Sequence, residues 1–323
     1  MKECLIDVYK RQVQLPRHKV SSKKALDKQQ LENRVGKADK KMVDEQLDGG
    51  SNEIQPVIDE LNALVGLKEI KKLVHEIYAY VEIQKRRQKE KLFNEPQALH
   101  MIFKGNPGTG KTTVARIIGK LLKAAGILPK GHLVEVERAD LVGEYIGHTA
   151  QKTRDMLKKS KGGVMFVDEA YSLARGGDKD FGKEAIDALV KGMEDHKDSL
   201  VVVLAGYQEE MDLFLESNPG LRSRFPIHLS FPDYTTDDLM EIADLMLHKK
   251  EYQLNLPARE ELRRIVNLKS SSHKHSGNAR LVRNMVEKSI RQQAVRLIAL
   301  ENTTRDELMT IIREDIVAVW HNY

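Results

Sequence analysis

A single cysteine, Cys4, is all that this 323-residue chain contains, so an internal disulfide is impossible and a disulfide-stapled secreted scaffold is excluded. Long apolar runs are missing too. The longest, "LVVVLAG" from Leu200, stops far short of the roughly 20 residues a membrane helix needs. The opening "MKECLIDVYKRQ" is charged throughout, where a secretory signal requires an apolar stretch. These gaps predict a cytoplasmic protein with no membrane association. A dominant sign of charge is also lacking. Against 48 Asp+Glu stand 53 Lys+Arg, a formal +5, an excess too small to decide for a nucleic-acid partner and equally served by a nucleotide polyphosphate.

What is present divides the chain into three parts. Residues 1–50 are rich in Lys, Gln and Asp, with only scattered apolar positions such as Leu26, Leu31 and Val35. They predict a mobile or weakly helical arm, either a solubilising tail or a partner-docking helix. From Pro56 apolar residues recur at three and four through "VIDELNALVGLKEIKKLVHEIYAYVEIQ", a helical spacing interrupted at Gly66. Five short apolar runs follow, "ALHMIF", "HLVEV", "GVMFVD", "LVVVLAG" and "FPIHLSF", separated by helix-like segments. Such alternation means a parallel sheet, because each parallel pairing needs a crossover long enough to hold a helix. Residues 51–232 are therefore expected to form an α/β domain, a five-stranded parallel sheet flanked by helices. Beyond it no strand signal remains, and residues 233–323 predict a small all-helical domain opened by Asp233, Thr235 and Thr236 as helix-start residues.

One stretch is poor material for a core. "GNPGTGKTT", residues Gly105, Asn106, Pro107, Gly108, Thr109, Gly110, Lys111, Thr112 and Thr113, lies between the first apolar run and a helical pattern and satisfies G-x-x-x-x-G-K-[ST]. Backbone N–H groups of residues 108–111 can converge on phosphate oxygens only where no Cβ blocks the approach. The following helix aims its unpaired amides and positive dipole end at the same anion, and Lys111 adds a full charge toward the β and γ phosphates. Thr112 is then placed to ligate Mg²⁺. The expected ligands are ATP or ADP, with Mg²⁺ as cofactor.

A magnesium nucleotide needs a carboxylate for the metal and, for hydrolysis, a base for water. "GGVMFVDEA" supplies both: an apolar strand ends abruptly in Asp168, expected to hold Mg²⁺, and Glu169, expected to polarise the attacking water.

These residues resemble the AAA+ ATPases, from about Leu61 to the C-terminus. Within that family "LVGEYIGHTAQKT", "FVDEAYSLARGGDKDFGKEAID", "LAGYQEEM" and "NPGLRSRFPIHLSFPDY" look like the branch shared by red-type rubisco activases and the stage V sporulation proteins. The N-terminal arm and layout fit the sporulation side. The resemblance implies a P-loop domain with a helical lid, and a ring-shaped homo-oligomer, a hexamer, with nucleotide at each subunit boundary. It implies an arginine finger from the neighbour, with Arg224 the first choice and Arg222 the second, and Arg280 of "GNAR" sensing the γ-phosphate from the lid. Val65, Gly66 and Leu67 match the segment that cradles adenine, with Val65 and Leu67 giving apolar contact; the same segment could instead be a core turn between two helices. At the position where the family commonly orients water with Asn, Ser or Thr, this chain has Tyr207, whose phenol can still hydrogen-bond.

The same resemblance puts Tyr145, Ile146 and Gly147 on a pore loop gripping an extended polypeptide, and "ARGGDKDFG" on a second loop. Tyr145 could instead pack inside the fold, and the second loop could be plain surface. Three functions follow: an ATP-driven remodeller that threads a protein client, in spore maturation or on a metabolic enzyme; a nucleic-acid motor or loader, against which no recognition module is visible; and a non-hydrolysing switch, against which Glu169 argues. His273 and His275 have no carboxylate or cysteine nearby and read as a solvated loop, and Trp320 as a packing anchor.

Overall fold

The structure, a computed structural model, describes residues 51–93, 98–145, 147–176, 180–272 and 277–320. The arm over residues 1–50, Ile146, His273, His275 and the Trp320 side chain lie outside the described residues.

Two helices, α1 (Ser51–Asn62) and α2 (Lys68–Lys89), precede the sheet. Strand β1 (Met101–Gly105) leads into α3 (Lys111–Ala124), then come β2 (Leu133–Val136), the short α4 (Arg138–Leu141), α5 (His148–Ser160) and β3 (Val164–Val167). After a 3-10 turn at Ala170–Ala174 follow α6 (Gly182–Asp195), β4 (Val201–Gly206), α7 (Gln208–Glu216), α8 (Pro219–Arg224) and β5 (Ile227–Phe231). All five apolar runs become strands of one parallel sheet in the order β2-β3-β4-β1-β5.

Side-chain alternation along each strand makes two cores, one on each face. Phe103, Phe166 and Val203 point to the face covered by α1, α2 and α3, with Val74, Ile118 and Leu122 packed on them. Ile102, Met165 and Leu204 point to the other, against Leu157 of α5, Leu189 of α6 and Phe214 of α7. Burial on both faces explains why β4 reads as an unbroken apolar run rather than an alternating one. Each such side chain contributes about 1.5–3 kcal/mol when taken out of water.

The chain leaves β5 through Asp233 and Tyr234 into α9 (Thr236–His248), where Thr235 accepts from the Asp238 amide at 3.2 Å and Asp238 accepts in return from Thr235. That capping box makes Thr235 the helix-start residue. Helices α10 (Leu256–Ser272), α11 (Asn278–Leu297), α12 (Arg305–Met309) and α13 (Arg313–Trp320) complete a third core of Leu239, Leu262, Val282, Met285 and Ile316. Asp315, 2% exposed, accepts a paired contact from Arg296 and fastens α13 to α11. This helical unit also carries one parallel bridge, β6 (Gln253–Leu254) with β7 (Thr310–Ile311). Two residues per strand are too few to leave a periodic trace in the sequence. Among the described residues no helix is long and apolar enough to cross a membrane.

Candidate active site

The sheet order decides what meets at its carboxyl edge. Because β4 lies between β3 and β1, the residues that follow these three strands stand side by side. They line a cavity of about 260 Å³ whose floor is Gly105, Pro107, Gly108, Gly110, Lys111, Thr112 and Thr113. One wall is Asp168, Glu169, Gly206 and Tyr207, and the other is Ala279, Arg280 and Arg283 from the first turns of α11.

The floor is bent by glycine. Gly105, Gly108 and Gly110 have φ of +154°, +75° and +97°, values that β-carbon-bearing residues resist. The buried Thr109 hydroxyl donates to the Asn106 carbonyl at 2.7 Å and closes the loop on itself. Gly110 caps α3 with no side chain bonded to the first-turn amides, so these donors are left for an anion at the positive end of the helix. Lys111 reaches back across the loop and donates to the carbonyls of Gly105 and Asn106, each at 2.8 Å. Burial holds its pKa below the ordinary value, Asp168 and Asp233 oppose that shift, and Arg280 adds to it. A cation already short of counter-charge is therefore poised to take a phosphate.

On the acidic wall both carboxylates are exposed to the cavity. Asp168 Oδ1 accepts from the Glu169 amide at 3.0 Å, and Glu169 sits at φ +47° where the chain leaves β3. Behind them Tyr171 is 5% exposed, with the Arg175 guanidinium 4.5 Å over its ring and the Tyr207 ring 6.0 Å away. Burial, with Glu169 adding to it, pushes the Tyr171 phenol up to about 12, so it stays a neutral donor. Among the described residues no cluster of three His, Cys, Asp or Glu could hold a metal by itself. One carboxylate and one hydroxyl across a phosphate floor fit Mg²⁺, which takes few protein ligands and completes its shell with water and phosphate oxygens.

A model of the AAA family, the ATPase family associated with various cellular activities, matches residues 101–233, and a model of an AAA lid domain matches residues 235–322. Stage V sporulation protein K of Bacillus subtilis is 56% identical over 265 residues, covering 81% of this chain and 82% of that protein. The chain belongs to the AAA+ ATPase family. It is an ATP-hydrolysing enzyme with a P-loop α/β domain and a helical lid. The chloroplast ribulose bisphosphate carboxylase/oxygenase activase of Cyanidioschyzon merolae is 44% identical over 82% of this chain and 92% of that protein. The RuvB Holliday junction branch migration motor of Thermotoga maritima shares the fold, with a TM-score of 0.52 and 17% identity, over 81% of this chain and 71% of that one.

Not every expected residue of this AAA+ ATPase reaches the cavity. Val65 and Leu67 are 6% and 7% exposed and are built into the lid core and the sheet core respectively. They stand behind the loop: a β-carbon on Gly110 would meet Leu67 at 3.6 Å. Arg222 and Arg224 are at the end of α8, away from the cavity of their own chain. There Arg224 donates to Glu194 through Nε at 2.9 Å and to the Gly220 carbonyl at 2.9 Å. Tyr145 is 66% exposed, its ring set edge-on to His148, which excludes packing inside the fold. Gly147 follows at φ +83° with open space around it. On the second loop Asp180 accepts from Arg138 at 2.6 Å, an ion pair that holds its carboxyl below the usual range.

Sequence reasoning passed over Arg283 and the residues that bind lid to loop. Arg283 lies three positions after Arg280, on the same helical face, and that spacing was a usable signal. Asn278 and Tyr234 left none, and Asp233, expected as a helix-start residue, instead accepts from Asn106 and Asn278.

Proposed function

We propose that ATP is hydrolysed in this cavity and that the energy remodels a protein client. What carries the reading is the convergence of Lys111, Thr112, Asp168, Glu169 and Arg280 on one cavity. Lys111 and the first amides of α3 would hold the phosphates, Thr112 and Asp168 would hold Mg²⁺, and Glu169 would polarise the attacking water. Bound Mg²⁺ supplies neutralisation of phosphate charge. Arg280 would face the γ-phosphate from the lid, while Tyr207 would donate its phenol near the attacking water. Val65, Gly66 and Leu67 would shape the adenine end.

The position of Arg224 at the end of α8, half-buried and away from the cavity of its own chain, supports delivery to a neighbour. We therefore infer a ring-shaped homo-oligomer, a hexamer, with Arg224 as finger and Arg222 as second choice. Tyr145, with Ile146 and Gly147, would grip the client at the pore. Residues 51–232 act as the nucleotide domain, residues 233–323 as the lid, and residues 1–50 as an arm. Likeness to the sporulation protein favours a client in spore maturation, in the cytoplasm. The 44% identity to the rubisco activase supports a second reading, remodelling of a metabolic enzyme.

Capture decides between them. Glu169→Gln protein is held on ATP, and the bound proteins are identified from sporulating and vegetative cells. Enrichment of one protein by Glu169→Gln, lost in Glu169→Gln/Tyr145→Ala, supports the threading reading. Equal capture with and without Tyr145 refutes the pore-loop role, and ATP turnover stimulated by DNA rather than protein refutes the client class.

A further inference from the structure

The lid and the phosphate loop are joined by a polar junction, built around the buried Asn278, that the roles above do not use. Asn278 is 1% exposed and opens α11 at φ +44°, a conformation Asn tolerates better than most residues. Its side-chain nitrogen donates to Asp233 at 2.8 Å and to the Pro107 carbonyl at 3.4 Å. Its oxygen accepts from the Tyr234 amide at 3.0 Å. Asp233 accepts in turn from Asn106, 3.0 Å from each carboxylate oxygen. One amide thus ties the phosphate loop, the segment leaving β5 and the start of the lid helix into a single knot.

The main chain closes the same junction. Ala279 donates to the Gly108 carbonyl at 3.2 Å, and a β-carbon on Gly108 would meet the Gly277 carbonyl at 2.4 Å. Arg280 follows two residues after Asn278, so its place over the cavity depends on this contact. A buried amide is satisfied only while all its partners are present, and losing one leaves a polar group stranded. Such a junction is held or released as a unit. A merely space-filling hinge would need neither the carboxylate nor the amide.

We propose that Asn278 and Asp233 form a latch that sets the lid against the phosphate loop and so aligns Arg280 with the nucleotide. Asn278 is a positioning residue: it acts through Arg280 and through the Pro107 carbonyl, and touches no reacting atom. The proposal rests on the cavity being the ATP site.

The test compares kcat and KM for MgATP, in the full chain, among Asn278→Asp, Asn278→Gly and the exchange Asp233→Asn/Asn278→Asp. Asn278→Asp keeps the size and sets one carboxylate against another. Asn278→Gly deletes the side chain while suiting the positive φ, and so serves even if the first variant does not fold. Turnover per nucleotide-occupied site should fall about tenfold or more in each single variant, with a smaller change in KM. The exchange restores a donor facing an acceptor and should recover most of the loss relative to Asn278→Asp. Wild-type turnover per occupied site in Asn278→Gly, or an exchange variant no faster than Asn278→Asp, overturns the latch. Lys111→Ala is run alongside: if it binds and hydrolyses ATP normally, the site assignment fails, whatever the Asn278 variants do.

Discussion

Lys111 is folded back onto Gly105, its ammonium donating to that carbonyl at 2.8 Å within the same loop. The cation is held ready but poorly solvated, since burial is the largest influence on it and lowers its pKa from 10.5. An unfolded chain binds the Lys111 proton more tightly than the folded one. Stability therefore rises with pH between the lowered folded value and 10.5, and below that window the folded protein carries the full cost of the buried charge.

Lys111→Met should thus separate function from stability. ATP turnover falls by about 10²-fold or more, while the nucleotide-free protein melts above wild type at neutral pH. The melting difference shrinks as pH climbs toward 10.5. Calorimetry without nucleotide at several pH values checks it, and a Met variant that melts below wild type throughout contradicts the burial cost.

Glu169→Gln and Arg224→Ala should each lose most turnover, the first by about 10²- to 10⁴-fold. In the proposed ring, the two mixed in equal amounts regain activity, because some interfaces would then unite an intact Glu169 with an intact Arg224 from the neighbour. Steady-state ATPase assays of the mixture read this directly. If Arg222→Ala complements and Arg224→Ala does not, the finger is Arg222.

Two glycines with similar backbones should respond differently to alanine. Gly108 has φ +75° with the Gly277 carbonyl 2.4 Å from an added β-carbon, whereas Gly147 has φ +83° and nothing within 4 Å. Gly147→Ala costs only the left-handed conformation, about 1–2 kcal/mol. Gly108→Ala adds a collision with the lid, so it melts lower and binds ATP more weakly. Equal melting temperatures for the two variants would refute the close contact.

His100 is 3% exposed, accepts from the Val202 amide at 3.0 Å, and has its pKa lowered by burial from 6.5 to about 4. A depressed histidine contributes stability that is full above the unfolded value and lost as pH falls toward the folded one. That contribution is about 3 kcal/mol, declining between pH 6.5 and pH 4. His100→Gln keeps an acceptor without the titration. Its urea-unfolding free energy should fall less steeply with acid over that window, and a slope matching wild type would rule His100 out.

The sheet was legible from five apolar runs: central strands buried on both faces must be apolar throughout, as β4 shows residue by residue, while the edge strands β2 and β5 keep apolar positions beside exposed Glu135, His228 and Ser230. The loop was legible because its chemistry is contiguous: glycines, lysine and threonine act within one turn of chain. The β6–β7 pair was too short to read. Apolar character alone leaves Val65 and Leu67 open between adenine contact and a core turn, and the structure builds them into two different cores.

By itself the sequence determined where the glycine-bent loop lies and which two carboxylates stand at a strand end, because backbone bends and neighbouring side chains are fixed by local order. Only the tertiary structure decided that β4 inserts between the loop and those carboxylates. It alone joined Asn106 to Asp233 across 127 positions and Asn278 to Pro107 across 171. Such bonds depend on a donor meeting an acceptor at about 3 Å between segments far apart in the chain, a condition that no periodicity or motif spacing records.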